Sequence, residues 1–108
     1  LKGDLRMYIV CVTSCPVGIA HTFMAAEGLQ KAIEKAGHEA KVETQGAQGP
    51  ENEITAEDLK RADAAIIACD AKLRGGERFD DIPTLECSVY EAVHEADSVV
   101  AELLEALG

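Results

Sequence analysis

The run Met7-Tyr8-Ile9-Val10-Cys11-Val12-Thr13-Ser14 constrains this chain more than any other stretch. It is almost continuously apolar and rich in β-branched residues, the pattern of a strand covered on both faces. Strands of that kind sit in parallel sheets, whose crossovers place helices on either side. Directly after it comes Cys15-Pro16-Val17-Gly18-Ile19-Ala20-His21-Thr22, a tight loop leading into a helical run that begins near Phe23. The first amides of a helix lack intrahelical partners and point outward, and the macrodipole adds positive potential there. Such a loop is a ready seat for a phosphate. A cysteine at its mouth has its thiolate favoured and its pKa drawn down from about 8.5. The stretch therefore predicts a nucleophilic cysteine, Cys15, that handles a phosphoryl group.

The remainder alternates in the same manner. The first helix runs to about Ala36, with Phe23, Ala26, Leu29, Ile33 and Ala36 as its apolar stripe, and Gly37 stops it. Glu39 to Thr44 alternates and reads as a shorter, more exposed second strand; Gln45 to Pro50 is a loop. Thr55 opens a short helix ending near Arg61, with Asp58 completing a capping-box pattern. Ala64 to Ala68 is a third, buried strand, and Asp70 to Asp81 is a loop. Ile82 to Glu86 is a weak fourth strand whose Pro83 suggests an edge. Ser88 caps a helical segment to about Glu95, and a last helix spans Asp97 to Leu107, with Val99, Val100, Leu103, Leu104 and Leu107 on one side. The expected fold is a three-layer α/β/α sandwich, Rossmann-like, with a four-stranded parallel sheet in the order 2-1-3-4. Ligands in such folds sit beyond the carboxyl ends of the strands, where the helices change faces. The end of the first strand is that point, and Cys15 occupies it.

Composition narrows the function classes. One domain with a single core fits 108 residues, and a chain without Trp must build that core from Val, Ile, Leu and Ala. Leu1 to Arg6 reads as a linker or expression remnant, and residues 7–108 as the domain. Twenty acidic residues against ten basic ones, a net charge of −10, argue against nucleic acid and against unaided docking on an anionic membrane. They fit a partner with a basic face. No signal peptide or membrane-length apolar run is present, so a reducing, cytoplasmic setting is expected. Of the other cysteines, Cys11 and Cys69 lie in apolar runs and read as small buried hydrophobes, and Cys87 leans the same way.

Around Cys15, Pro16 and Gly18 shape the turn so that backbone amides approach an anion closely. Thr22, and less so Thr13 or Ser14, offers a hydroxyl. His21 stands either to donate to a phosphate or to cap the helix. Cysteine phosphatases space a cysteine five residues from an arginine that clamps the phosphoryl group. Here Cys15 and Thr22 keep that spacing, but His21 stands in place of the arginine, and Asp70 and Asp80 are undistinguished as general acids.

Cys-Pro-Val-Gly-Ile-Ala-His-Thr-Phe-Met-Ala-Ala-Glu resembles the phosphocysteine loop of the fructose-type enzyme IIB component of the bacterial sugar phosphotransferase system, which commonly reads CPTGIAHTFMAAE. Val17 replaces the usual Thr and removes a hydroxyl. The likeness continues through Val42-Glu43-Thr44-Gln45-Gly46, through Ala62 to Ala68, and through Arg78-Phe79. It implies that Cys15 accepts a phosphoryl group from a phosphohistidine of a IIA component and passes it to fructose or a fructose-like sugar held by the membrane component IIC. It implies phosphate-binding roles for Pro16, Val17, Gly18, Ile19, Ala20, His21 and Thr22. No metal or organic cofactor is expected, since the amides and dipole supply the electrostatics. His21 in place of arginine is expected to leave the intermediate less open to water. Glu43 to Gly46 either shapes the site's rim or merely ends a strand. A small cysteine phosphatase and a sensor module of a transcription regulator are the rival readings.

Overall fold

Continuous burial is what the first strand achieves: every residue of β1, Tyr8–Ser14, is shielded from solvent. The computed structural model describes residues 6–14, 19–46, 49–69, 73 and 75–107. After β1 come α1 (Ile19–Lys35), β2 (Glu39–Gly46), β3 (Gly49–Glu51), α2 (Ala56–Arg61) and β4 (Ala64–Cys69). A 3-10 turn (Gly76–Phe79), β5 (Thr84–Cys87), α3 (Val89–His94) and α4 (Ala96–Leu107) complete the chain.

The sheet runs β3-β2-β1-β4-β5. Its four parallel strands keep the expected 2-1-3-4 arrangement, but the sheet is five-stranded and mixed. The addition is β3, antiparallel to β2, with Gln45 opposite Pro50 and Gly46 opposite Gly49. Gln45 and Gly46, expected in a loop, thus belong to β2. Gly49, at φ +102°, adopts a conformation open chiefly to glycine.

The larger core lies between the sheet and α1, α3 and α4. Ile9, Cys11 and Ile66 meet Leu29, Ile33, Val100 and Leu103 there. The buried stripe of α1 is Thr22, Ala25, Leu29, Ala32 and Ile33. Phe23 and Ala36, expected within it, are exposed, because the helix presents a side rotated by one residue. A Cβ on Gly28 would stand 2.7 Å from the carbonyl oxygen of Ala92, so glycine there lets α1 and α3 meet backbone to side. At its end Gly37 (φ +91°) donates to Glu34 O and His38 to Ile33 O, the double closure of a helix ended by glycine.

The opposite face carries Tyr8, Val10, Val12, Ile54, Ala65 and Phe79 under α2 and the 3-10 turn. Thr55 and Asp58 form the expected capping box, and Ser88, expected as a cap, forms a full box with Glu91. The second half of β2 is buried rather than exposed, since the chain around Ile54 and Arg78 covers it.

Candidate functional site

Strand order fixes where the two faces part. From β1 the chain crosses through α1 to β2 on one side; from β2 it crosses through α2, on the other face, to β4 on the opposite side of β1. The switch point lies beyond the carboxyl ends of β1 and β4, where Ser14 and Cys69 stand in register. Cys15, Pro16, Val17 and Gly18, the heart of the expected site, lie outside the described residues, as do Ile19's side chain and Asp70. Around them the structure supplies a frame.

The helix on that frame begins at Ile19, earlier than the sequence suggests, so Ala20, His21 and Thr22 occupy its first turn. Ala20 and His21 are exposed. As the third residue of the helix, His21 is not its cap. Thr13 Oγ1 donates to the Thr22 carbonyl (3.1 Å), which ties the first turn to β1 and commits the Thr13 hydroxyl. Thr22 Oγ1 is different: the residue is 2% exposed, and its hydroxyl has no hydrogen-bond partner among the described residues. A buried hydroxyl in that condition calls for a partner beyond the described residues.

The helix termini differ in a telling way. The first turn of α2 carries Glu57 and Asp58 and that of α3 carries Glu91, each within a capping box, so both positive ends meet the protein's own carboxylates. The first turn of α1 has no acidic residue. No carboxylate in that first turn offsets its partial positive charge, and such a terminus suits an anion.

On the β2 side stands a charged pair whose members, Glu43 and Arg78, the sequence reading noted only separately, in the Val42 to Gly46 and Arg78-Phe79 likenesses. Glu43 is 1% exposed. Its Oε1 accepts from Arg78 Nη1 (2.9 Å) and Ile54 N (2.8 Å), and its Oε2 from Arg78 Nη2 (3.1 Å) and Gln45 Nε2 (2.7 Å). Burial pushes the Glu43 carboxyl up, but the bonds from Arg78, Gln45 and Ile54 outweigh it and hold the pKa below the usual range. The same contact raises the pKa of Arg78. Gln45, buried, lies in register with Ser14.

The remaining cysteines fall as expected or nearly so. Burial, and secondarily Cys87, pushes the Cys11 thiol far up, which leaves it inert. Cys87 packs against the larger core, and Cys69 is half-buried at the end of β4. His38 is more engaged than a surface residue, since its Nδ1 accepts from Met7 N (3.0 Å). His94 is exposed and packs against Tyr90, ring centroids 4.4 Å apart. Asp80 is exposed at the end of the 3-10 turn. Among the described residues no group of His, Cys, Asp and Glu could hold a metal, and no helix is long and apolar enough to cross a membrane. Beside α1, Phe23 (45% exposed) and Met24 (52%) face outward, and a groove of about 560 Å³ runs between α1 and the β2–β3 hairpin.

A doubly covered sheet whose first helix opens at the switch point with no acidic residue in its first turn has the architecture of anion-binding α/β domains. Comparison with known proteins narrows that class to one family. Residues 10–102 match the family described as "PTS system, Lactose/Cellobiose specific IIB subunit", and the chain belongs to these IIB domains of the sugar phosphotransferase system. It is 47% identical over 96 residues to the 2-O-alpha-mannosyl-D-glycerate-specific EIIABC component of Escherichia coli K12, a match spanning 89% of this chain but 15% of that relative. It is 44% identical to the fructose-like EIIB component 2 of the same strain, across 88% of this chain and 90% of the relative. Among solved structures, the crystal structure of a "predicted fructose specific IIB" from E. coli superposes with a TM-score of 0.88 at 40% identity, covering 94% of this chain and 90% of that one. A domain of the fructose-specific IIABC component of Borrelia burgdorferi gives 0.87 at 35% identity, covering 94% and 96%. The family expected from the Cys15 loop is therefore the family of the chain, although the matching model carries the lactose/cellobiose description and the relatives carry fructose-like names.

Proposed function

We propose that this domain is a phosphoryl carrier in sugar uptake, with Cys15 as the residue that holds the group. The carrying observation is the first turn of α1 at the switch point: acid-free, next in sequence to the Cys15 loop, and containing the orphan Thr22 hydroxyl. In the first step the Cys15 thiolate attacks the phosphorus of a phosphohistidine on a IIA component. A sulfur–phosphorus bond forms, the phosphorus–nitrogen bond breaks, and the imidazole leaves with its electron pair. In the second step a sugar hydroxyl held by the membrane component IIC attacks the same phosphorus. The sulfur–phosphorus bond breaks, the thiolate returns, and the hydroxyl proton passes to a base.

Backbone amides from Val17 to Thr22 and the Thr22 hydroxyl are assigned to the phosphoryl oxygens, with Pro16 shaping the turn. Helix amides and dipole stabilise the charge, so the transfer calls for no metal or organic cofactor. The multidomain names of the EIIABC and EIIB'BC relatives support IIA and IIC as the kinds of partner. With such partners the domain is assigned to the cytoplasm, at the inner face of the membrane. Fructose or a fructose-like sugar is assigned from the relatives' names, with recognition lying in IIC.

Intact-mass analysis after incubation with phosphoenolpyruvate, the general phosphotransfer proteins and IIA tests the reading. One added phosphoryl group on the wild type and none on Cys15→Ser is expected; a folded wild type that stays unmodified by an active IIA overturns it. His21 in place of a phosphatase arginine is assigned to sparing the intermediate from water. Introducing His21→Arg should shorten the lifetime of the phosphorylated form, and an unchanged hydrolysis rate removes His21 from that role. Turnover of a simple phosphate ester by the wild type would favour the phosphatase reading instead.

A further inference from the structure

The groove of about 560 Å³ beside α1 is built in a way the transfer chemistry does not require. α3 and α4 pack on the other flank of α1, so among the described residues no second helix lies beyond α1 on the β3 side. What remains is a trough between one helix face and the β2–β3 hairpin. Its floor is apolar, with Phe23, Ala26 and Val42, and Phe23 is one of two large apolar side chains that α1 leaves exposed. Its far wall is fixed, because Asn52 Nδ2 donates to the Val42 carbonyl (3.0 Å) and Glu51 is paired in register with Thr44. α1 lines the trough from Phe23 to Glu34, about 16 Å of helix, which is the reach of about five extended residues. One end opens at the carboxyl edge of the sheet: Phe23 follows Thr22, and Thr44 stands in register with Thr13.

Charge narrows the occupant. Three carboxylates of the lining, Glu27, Glu34 and Glu51, stand against one ammonium, Lys31, in a chain of net charge −10. Like charge repels a second copy of the domain and an anionic lipid surface alike. A protein segment carrying Lys or Arg around an apolar side chain is complementary to both the floor and the rim. Membrane proteins as a class carry an excess of Lys and Arg on their short cytoplasmic loops. We infer that this groove receives a cytoplasmic loop of the membrane component IIC, an apolar side chain of the loop seated on Phe23, Ala26 and Val42 and its basic residues facing Glu27, Glu34 and Glu51. The inference rests on the carrier reading and adds where the acceptor holds on. A loop seated there sets the acceptor against the switch-point end of α1.

Sugar phosphorylation by the IIA-charged domain tests it, at membrane vesicles that carry the IIC component and expose its cytoplasmic side. The proteins compared are the wild type, Phe23→Ala, a groove triple (Glu27→Gln, Glu34→Gln, Glu51→Gln) and a control triple. The control (Glu86→Gln, Glu102→Gln, Glu105→Gln) makes the same charge change at exposed positions of β5 and α4. Phe23→Ala and the groove triple should each raise the half-saturating concentration of the domain at least about tenfold, with the saturating rate within about twofold. The groove triple should also flatten the dependence on salt. Half-saturation of the control triple, and uptake of the phosphoryl group from IIA by every variant, should stay within about twofold of the wild type. Normal uptake from IIA also shows that each variant is folded. Half-saturation unmoved by both groove variants, an equal loss in the control triple, or an equal loss in uptake from IIA would each overturn the inference while leaving the carrier reading intact. A wild type that accepts no phosphoryl group from an active IIA overturns both.

Discussion

The two faces of the sheet are held by different chemistry. Under α1, α3 and α4 the contacts are hydrocarbon: Ile9, Leu29, Ile33, Ile66, Val100 and Leu103 interlock without a charged group among them. Under α2 and the 3-10 turn the helical cover is thin, and charged side chains do the joining. Glu43 binds Arg78, and Asp58 gathers Tyr8 Oη, Lys41 and Thr55. Arg61 lies over the Tyr8 ring at 4.2 Å. Burial and the bond to Asp58 carry the Tyr8 hydroxyl up to about 12. Hydrocarbon packing tolerates small adjustments and is indifferent to pH, whereas a wired face sets directions and depends on protonation. The directional face is also the one on which Gln45 stands beside the end of β1.

The sharpest break of that contrast is Arg78→Leu, which strands Glu43 in the interior. Urea unfolding at pH 7 should show a loss of about 4 kcal/mol. The deficit should shrink as pH falls toward 5. In the wild type Glu43 is held below its ordinary pKa, so its contribution is full above that value and is lost as pH drops through the folded pKa. In the variant the unpaired carboxyl is raised and neutralises readily, which relieves the strain. A pH-independent deficit would mean that Arg78 acts through packing alone. On the hydrocarbon face, Leu29→Ala should cost about 3 kcal/mol through the cavity it leaves, equally at both pH values. Gly28→Ala should cost about 2 kcal/mol, because its methyl meets the fixed Ala92 carbonyl rather than a yielding side chain. A neutral or stabilising result in thermal unfolding would show that α3 can move away from α1.

What could be read beforehand follows the same division. The continuous apolar run of β1, the caps at Thr55 and Ser88 and the stop at Gly37 are local signals, and each stands where the pattern puts it. The stripe of α1 was misplaced by one residue because its buried side is built from Thr22, Ala25 and Ala32, weaker signals than the exposed Phe23. Short-range pattern could not disclose the burial of β2, since Arg78 reaches Glu43 from 35 residues away. Nor could it disclose β3, whose Gly49-Pro50-Glu51 has no strand propensity and is ordered by pairing with β2. For the site, Cys15 is an expectation from its loop motif, which lies outside the described residues. The acid-free helix end and the register of Ser14 with Gln45 and Cys69 are legible only in three dimensions.

The two outer strands have a bearing on how such a molecule behaves in a crowd. On one flank β3 is three residues long and has Pro50 at its centre, which cannot offer an amide to a newcomer; Glu51 adds a charge. On the other, β5 is four residues long, begins just after Pro83 and contains the charged Glu86. Short, proline-marked, acidic borders deny a second copy the ladder it needs to extend the sheet. The domain can therefore collide repeatedly with its own kind without zipping into filaments.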